Sequence, residues 1–573
     1  MTNSVFFFVF ILQFLFVSYG DEVHEFNNLQ EDVESLPGTQ PYRTGFHFQP
    51  PKNWMNGPMY FNEVYHLFYQ YNPYAAVWGN ITWAHSVSYN LVDWVHLEAA
   101  INPTDPFDIL GCWSGSTTIL PGGKPVIVYT GADSKNNQIQ NLAIPKNRSD
   151  PFLTEWVKST NNPVMTPGSD IGPQDFRDPT TAWQGPDQVW RLVVGSKING
   201  QGTALLYKSK DFVNWNRTTN PLHSSNKTGM WECPDFYPVK IYGINGLDTS
   251  VEGNDTKHVL KASFNDHDHY IIGNYDAEKD SYVVETDFMD DRVQLRFDYG
   301  KFYASKSFYD SAKKRRIVWA WVVETTNQTV DIEKEWSGLQ SIPRTILLDK
   351  SGKQLIQWPV KEIEKLRGEK AEIREKEMSP GTVLEVVGVT ASQADVEVSF
   401  SVSNLEDAEV NEPGIIDPQR LCIQKTASDR GVLGPFGLVV LASSDFTEQT
   451  SIFFRIFKNQ ENYSVLMCTD HSRSSKSSEF NKTNFGAFVD IDPSKKISLR
   501  TLIDHSIVES FGGEGRTCIT SRVYPTIAIN DAAHLYVFNN GTKSISISSL
   551  EAWSMKRAQI APLRKRRKHP TNN

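Results

Sequence analysis

The sequence predicts an all-β protein, a propeller followed by a β-sandwich, on three observations. First, from Tyr42 onward, short runs rich in Val, Ile, Thr, Tyr, Phe and Trp are bounded by Gly, Pro, Asn and Asp, and long amphipathic helical patterns are absent. Second, a Trp-ending motif recurs as Leu91-Val-Asp-Trp94-Val, Phe152-Leu-Thr-Glu-Trp156-Val and Asp211-Phe-Val-Asn-Trp215, the tryptophans 62 and 59 residues apart. That period, somewhat longer than the ~40 to 50 residues of a propeller blade, suits four-stranded units with generous loops. Third, beyond one dense charge run, strand alternation returns in Asp395–Ser401 and Ser544–Ser549, as in a β-sandwich.

The elements follow in order. Residues 1–20 read as a secretory signal: Val5 to Val17 is almost wholly apolar, and Ser18-Tyr19-Gly20 precede the acids Asp21 and Glu22. The apolar run is shorter than the ~18 residues of a membrane span, so a secreted protein with no membrane anchor is expected. Residues 21–41 form an acidic lead-in. Residues 42–360 make the propeller, with strands expected at Val64–Tyr71, Pro125–Thr130, Val189–Val194 and Ile317–Val323. The charged segment Val360 to Glu377, of helix-forming composition, reads as a linker or short surface helix between the units, bounded at 361–380. The sandwich takes 381–555 and a solvated basic tail 556–573.

Composition narrows the chemistry. The 573 residues are 39% hydrophobic, 22% charged and 12% aromatic, with a formal net charge of −10, which argues against a nucleic-acid partner and fits an uncharged substrate. Nine Asn-X-Ser/Thr sequons, at Asn80, Asn147, Asn216, Asn226, Asn254, Asn327, Asn462, Asn481 and Asn540, agree with a glycosylating route. The five cysteines have no close Cys-X-X-Cys pair, which speaks against structural zinc; at most two bridges can form.

Polar and aromatic residues crowd into Trp54-Met-Asn56, Gln70, Trp78, Trp113-Ser114-Gly115, Arg177-Asp178-Pro179 and Trp231-Glu232-Cys233-Pro234-Asp235. Taken singly each is a turn or a core residue. Together they suit glycoside hydrolysis, which needs one carboxylic acid to protonate the leaving oxygen, a second carboxylate, and groups that grip a sugar.

With His47-Phe-Gln-Pro-Pro-Lys-Asn-Trp-Met-Asn56, Tyr65-His-Leu-Phe-Tyr-Gln-Tyr-Asn72, Trp113-Ser-Gly-Ser116, Phe176-Arg-Asp-Pro179 and Trp231-Glu-Cys-Pro-Asp235, the chain resembles the plant acid invertases and fructan exohydrolases, from Tyr42 to Ser554. Pro234 looks like the cell-wall branch. The resemblance implies a five-bladed propeller and a β-sandwich, release of terminal fructose from sucrose or fructans with retention, an acidic optimum, no metal or organic cofactor, and an apoplastic location; the tail run Arg564-Lys-Arg-Arg-Lys568, first a solvated basic end, offers attachment to an acidic cell-wall polysaccharide as its second reading. It implies Glu232 as acid/base, Asp178 as transition-state stabiliser holding fructose hydroxyls, Arg177 beside it, and Trp54, Asn56, Gln70, Trp78, Trp113 and Ser114 lining the fructose pocket. It also implies a Cys422–Cys468 bridge, leaving Cys112, Cys233 and Cys518 as thiols.

Two departures stand out. The family reads Trp-Met-Asn-Asp-Pro-Asn-Gly-Pro, its Asp being the nucleophile, whereas here Asn56 runs straight into Gly57-Pro58. The flanks match, so this is an in-frame loss of three residues, which skipping of the family's tiny exon or a gene-model error would produce. It leaves Glu63 as a remote carboxylate and raises an alternative, a catalytically defective sugar-binding protein on the same fold. Sucrose-splitting relatives also carry an Asp followed three residues later by Lys or Arg; the stretch Ser263-Phe-Asn-Asp-His-Asp-His269 has Asn265 or Asp266 there and no following base, which tilts toward fructan exohydrolase. The Asp266–His269 cluster is expected as a polar loop.

Overall fold

The computed structural model describes residues 40–50, 52–54, 58–226, 228–286, 288, 294–410, 417–459 and 462–562. The expected signal, most of the acidic lead-in, Asn56 and the end of the basic tail lie outside the described residues, as does the side chain of Trp54.

Five antiparallel sheets follow one another in the first unit. Their strands are Pro58–Phe61, Val64–Tyr71, Thr82–Ser88 and Trp94–His96; then Gly111–Leu120, Lys124–Ala132, Gln138–Pro145 and Trp156–Lys158; then Phe176–Arg177, Trp190–Ile198, Gln201–Ser209 and Asn216–Arg217; then Glu232–Lys240, Thr256–Phe264, His267–Asp276 and Ser281–Val284; and finally Phe302–Asp310, Arg315–Val322, Arg344–Leu348 and Leu355–Pro359. First strands of different sheets pack against one another, so their leading residues converge.

The recurring Trp motif is the turn into the outermost strand. Leu91, Leu153 and Phe212 each adopt positive φ (64°, 46° and 66°) three residues before the tryptophan, a conformation that disfavours bulky residues. Hydrogen bonds offset the cost. Asn90 Oδ1 accepts from the N–H of Val92 and Asp93, Asp211 Oδ1 from those of Val213 and Asn214, and the Trp156 and Trp215 indoles donate to the carbonyls of Leu153 and Phe212.

The second unit packs a six-stranded sheet on a seven-stranded one. Phe400, Phe436, Phe454, Ile452, Leu499 and Val537 are among the fully buried side chains between them. The Cys422–Cys468 bridge (Cα–Cα 5.6 Å) ties the helix Pro418–Gln424 to the outer face of the larger sheet, and Cys112, Cys233 and Cys518 are buried thiols.

The expected linker is a correction. Lys361–Leu366 is a 3-10 turn, but Arg367–Met378 is a twelve-residue edge strand paired antiparallel with Ile545–Met555. Its Lys, Arg and Glu side chains stay largely in water, where charge on an edge strand blocks pairing with another chain.

At the junction of the units, His47 is fully buried between two carboxylates, Nδ1 2.9 Å from Asp504 Oδ2 and Nε2 3.1 Å from Glu509 Oε1. Glu509 also receives Arg344 Nη2 at 2.6 Å, and Arg344 Nη1 reaches Asp298 at 3.0 Å. After the sandwich the chain returns: Ile560–Pro562 pairs in parallel with Trp94–His96, the outer edge of the first sheet.

Candidate active site

The first strands are irregular where they reach the centre. Register shifts fall between Cys112 and Gly115, between Glu232 and Asp235, and between Tyr303 and Lys306. Cys233 and Ala304 inside two of these bulges have φ of 44° and 53°, and Asp178, just after Phe176–Arg177, has φ of 65°. A bulge re-aims side chains that regular alternation would turn away. The result is a cavity of about 420 Å³ lined by Gln70, Trp78, Trp113 and Ser114 on one side, Asn136, Gln138 and Gln174 on another, and Arg177, Asp178, Glu232, Cys233, Tyr303, Ala304 and Trp321 around the rest.

Two glycines permit the approach. A Cβ on Gly115 would lie 2.1 Å from the Val128 carbonyl oxygen. Gly195 pairs with Arg177 in the third sheet, and a Cβ there would meet the Trp231 carbonyl oxygen at 2.3 Å. The Arg177-Asp178 and Trp231-Glu232 segments therefore crowd against one glycine, close enough to share contacts.

Arg177 is the shared group. Its Nη2 donates to Glu232 Oε1 at 2.7 Å, its Nε lies 3.9 Å from Asp178 Oδ2, and its Nη1 donates to Gln138 Oε1 at 3.1 Å. Tyr303 donates its hydroxyl to the other Glu232 oxygen. Both oxygens of Glu232 are thus oriented, while the side chain stays one-third exposed toward the cavity. Asp178 is buried; its N–H donates to Thr130 Oγ1 and its Oδ2 accepts the Cys233 N–H, each at 2.8 Å. Burial, reinforced by the Glu232 carboxylate and opposed by Arg177, raises the Asp178 carboxyl above the usual range. Burial and the adjoining Glu232 likewise raise the Tyr303 phenol, which keeps it a donor.

Two buried lysines stand behind this wall. Lys306 Nζ donates to the Pro234 carbonyl at 2.7 Å and lies 3.5 Å from that of Pro179, linking the residues that follow the two carboxylates. Lys261 Nζ donates to the carbonyls of Cys233 (3.0 Å) and Ser305 (2.9 Å) and pairs with Asp268 at 3.2 Å. Asp235 is a buried strand residue whose Oδ2 accepts the Ser307 N–H at 2.8 Å.

Of the residues singled out from the sequence, Gln70, Trp78, Trp113, Ser114, Arg177, Asp178 and Glu232 come together. Gln70 donates to Ser114, and the Trp78 and Trp113 rings meet edge to face at 5.4 Å. Trp54 belongs by its backbone to a short parallel pair, Asn53–Trp54 with Trp336–Ser337. Glu63 is exposed on the turn of the first hairpin, after Asn62, and does not line the cavity.

The Asp266–His269 cluster is another correction. Asn265 and Asp266, both at positive φ (50° and 60°), form a two-residue hairpin turn outside the cavity lining, and a strand begins at His267. Asp268 accepts from the N–H of Ala304 (3.0 Å) and Ser305 (2.7 Å), whereas His269 stacks on Phe264. Sequence reasoning missed Tyr303, Trp321, Asn136, Gln138 and Gln174, none of which sits in a recognisable motif; the positive-φ alanine next to Tyr303 has no sequence signal at all.

Residues 47–359 match the glycosyl hydrolases family 32 N-terminal domain and residues 362–554 the family 32 C-terminal domain. The chain is 57% identical over 544 residues to the beta-fructofuranosidase, insoluble isoenzyme CWINV1, of Arabidopsis thaliana, covering 92% of this chain and 93% of that protein. It is 53% identical over 540 residues to the fructan 6-exohydrolase of Beta vulgaris, covering 92% and 89%. The crystal structure of fructan 1-exohydrolase IIa from Cichorium intybus superposes with a TM-score of 0.90 at 57% identity, covering 91% of this chain and 99% of that one; a second structure of that protein, a variant, holds 1-kestose.

Proposed function

Since the chain belongs to glycosyl hydrolase family 32, we propose that its cavity receives the terminal fructosyl unit of sucrose or a fructan, with Glu232 as acid/base, Asp178 holding fructose hydroxyls, and Trp54, Asn56, Gln70, Trp78, Trp113, Ser114 and Arg177 forming the pocket. The observation that carries this reading is the joint anchoring of Asp178 and Glu232 on Arg177 inside a cavity walled by Trp78, Trp113 and Trp321. Glu232, protonated, gives its proton to the leaving glycosidic oxygen. Asp178 meets the positive charge and the hydroxyls of the oxocarbenium-like transition state, with Arg177 beside it. The protein acts outside the cell, at the wall; relatives are named as insoluble or cell-wall isoenzymes.

A retaining mechanism also needs a carboxylate to form the glycosyl-enzyme bond, and Asn56 is followed directly by Gly57. That supports a second reading of the chain as it stands: it binds fructosides and turns them over very slowly. The test inserts Asp-Pro-Asn between Asn56 and Gly57 and compares fructose release from sucrose, inulin and levan at acidic pH. The insertion should raise turnover by several orders of magnitude, by analogy with the ~10⁶-fold cost of deleting a protease nucleophile. Equal turnover by both proteins would overturn the defect; failure of the restored protein on all three substrates would leave the binding reading.

A further inference from the structure

The nine sequons are not equivalent in the fold. Asn540 is half-buried, and its Nδ2 donates to the carbonyls of Ala427 at 3.1 Å and Ser428 at 3.3 Å, so the nitrogen that would carry a sugar is engaged by backbone. The other eight asparagines are exposed.

Asn80 differs from the rest in where it stands. It lies two residues beyond Trp78, which lines the cavity and is 56% exposed. The next residue, Ile81, accepts the Cys112 N–H at 2.8 Å, beside Trp113, so the Asn80 segment is joined to both rim tryptophans. The loop is ordered by its own bonds: Asn72 Nδ2 donates to the Val77 carbonyl and Asn72 Oδ1 accepts the Tyr74 N–H. Asn80 has φ of 48°, a left-handed conformation that asparagine adopts more readily than most residues.

We propose that Asn80 carries an N-linked glycan that stands on the cavity rim and limits the length of saccharide that enters. The inference rests on the fructosyl pocket and extracellular route proposed above. The sugar arrives on a lipid diphosphate: Asn80 Nδ2 forms a bond to the anomeric carbon, the carbon–oxygen bond to the diphosphate breaks, the lipid diphosphate leaves, and the amide loses one proton. Attachment precedes folding, because Thr82 of the sequon ends buried with its hydroxyl donating to the Tyr71 carbonyl at 3.2 Å. A glycan is bulky and strongly hydrated. The cavity of about 420 Å³ holds a short saccharide, whereas a polymer has to continue across the rim.

The test uses the full chain secreted from a glycosylating host. Glycopeptide mass spectrometry should find Asn80 occupied. Calorimetric titration with 1-kestose and with long-chain inulin then compares the glycosylated chain, the same chain after enzymatic removal of its glycans, and Asn80→Gln. Loss of the Asn80 glycan should tighten inulin binding by about threefold or more and leave 1-kestose binding unchanged. Enzymatic removal keeps the test valid if the variant folds poorly. A bare Asn80, or inulin affinities that do not differ among the three proteins, would overturn the proposal. If no form binds 1-kestose, the pocket reading fails and the length limit falls with it, while the peptide map still decides the modification.

Discussion

The sandwich and the propeller solve the problem of a protein interior in opposite ways. Between the sandwich sheets lies one continuous apolar cluster, Phe400, Phe436 and Phe454 among it. The propeller instead divides its apolar side chains among separate clusters between sheets and keeps its centre for Arg177, Asp178, Asp235, Lys261, Asp268 and Lys306. Apolar burial is non-directional, whereas buried charges persist only when each is paired and hydrogen-bonded. The sandwich interior therefore rests on apolar burial, and the fully buried charges of the propeller centre rest on their partners. One continuous apolar cluster dominates the sandwich interior, and the cavity with its charged groups lies in the propeller.

The sharpest way to test that division is to change one polar atom at the centre. In the chain with Asp-Pro-Asn restored, Glu232→Gln should lower fructose release by ~10²–10⁴-fold, because an amide cannot protonate the leaving oxygen. Its thermal midpoint should move little. A midpoint that falls by many degrees would mean that Glu232 is structural, and the separation of roles would be lost.

The converse change belongs in the sandwich. Phe454→Ala removes a fully buried ring that meets Phe436 at 6.1 Å, and should cost about 3–5 kcal/mol of unfolding free energy in urea titrations. Saccharide affinity per folded molecule should stay the same. A weakened affinity would show that the sandwich core shapes the pocket.

A smaller loss, about 2–4 kcal/mol, is expected from replacing Cys422 and Cys468 together by serine, since the bridge closes a loop with a sequence separation of 46. Non-reducing peptide maps of the parent should show this pair and no other.

The smallest effect concerns pH and the junction. Burial alone would lower the His47 pKa, but the hydrogen bonds of Asp504 and Glu509 outweigh it and raise it. Burial alone would raise both carboxyls, and His47, joined by Arg344 at Glu509, lowers them. The raised imidazolium contributes stability that is full below its unfolded pKa of about 6.5 and fades as pH climbs through its folded value; the depressed carboxylates contribute above about 4 and fade as pH falls through theirs. Stability from this cluster is therefore greatest from about pH 4 to 6.5. Thermal midpoints should decline above that window in the parent and less steeply in His47→Gln; parallel profiles would remove His47 from the account.

The same division explains what could be read from the sequence. Strands with apolar alternation, such as Val64–Tyr71, were legible because one residue in two must face a core. Glu232 and Asp178 could be singled out as cavity residues because they sit in a familiar order of motifs. Arg367–Met378 was not, because on an edge strand long charged side chains cover both faces and mimic a solvated linker. Tyr303 and Gln138 escaped because the pocket is assembled from several sheets by bulges, and a bulge is a fact of register between strands that one strand's composition does not carry.

The return of Ile560–Pro562 to the Trp94–His96 edge sets a schedule as well as a shape. The hydrogen bond from Gln559 to Asp93 spans a separation of 466 residues. At translation rates of ~5–20 residues per second, the edge of the first sheet waits roughly 20 to 90 s for the strand that covers it. During that interval the nascent protein presents an unpaired strand to every neighbour it meets. The first part of the molecule to be made is the last to be sealed, and its safe passage depends on whatever shields that edge in the meantime.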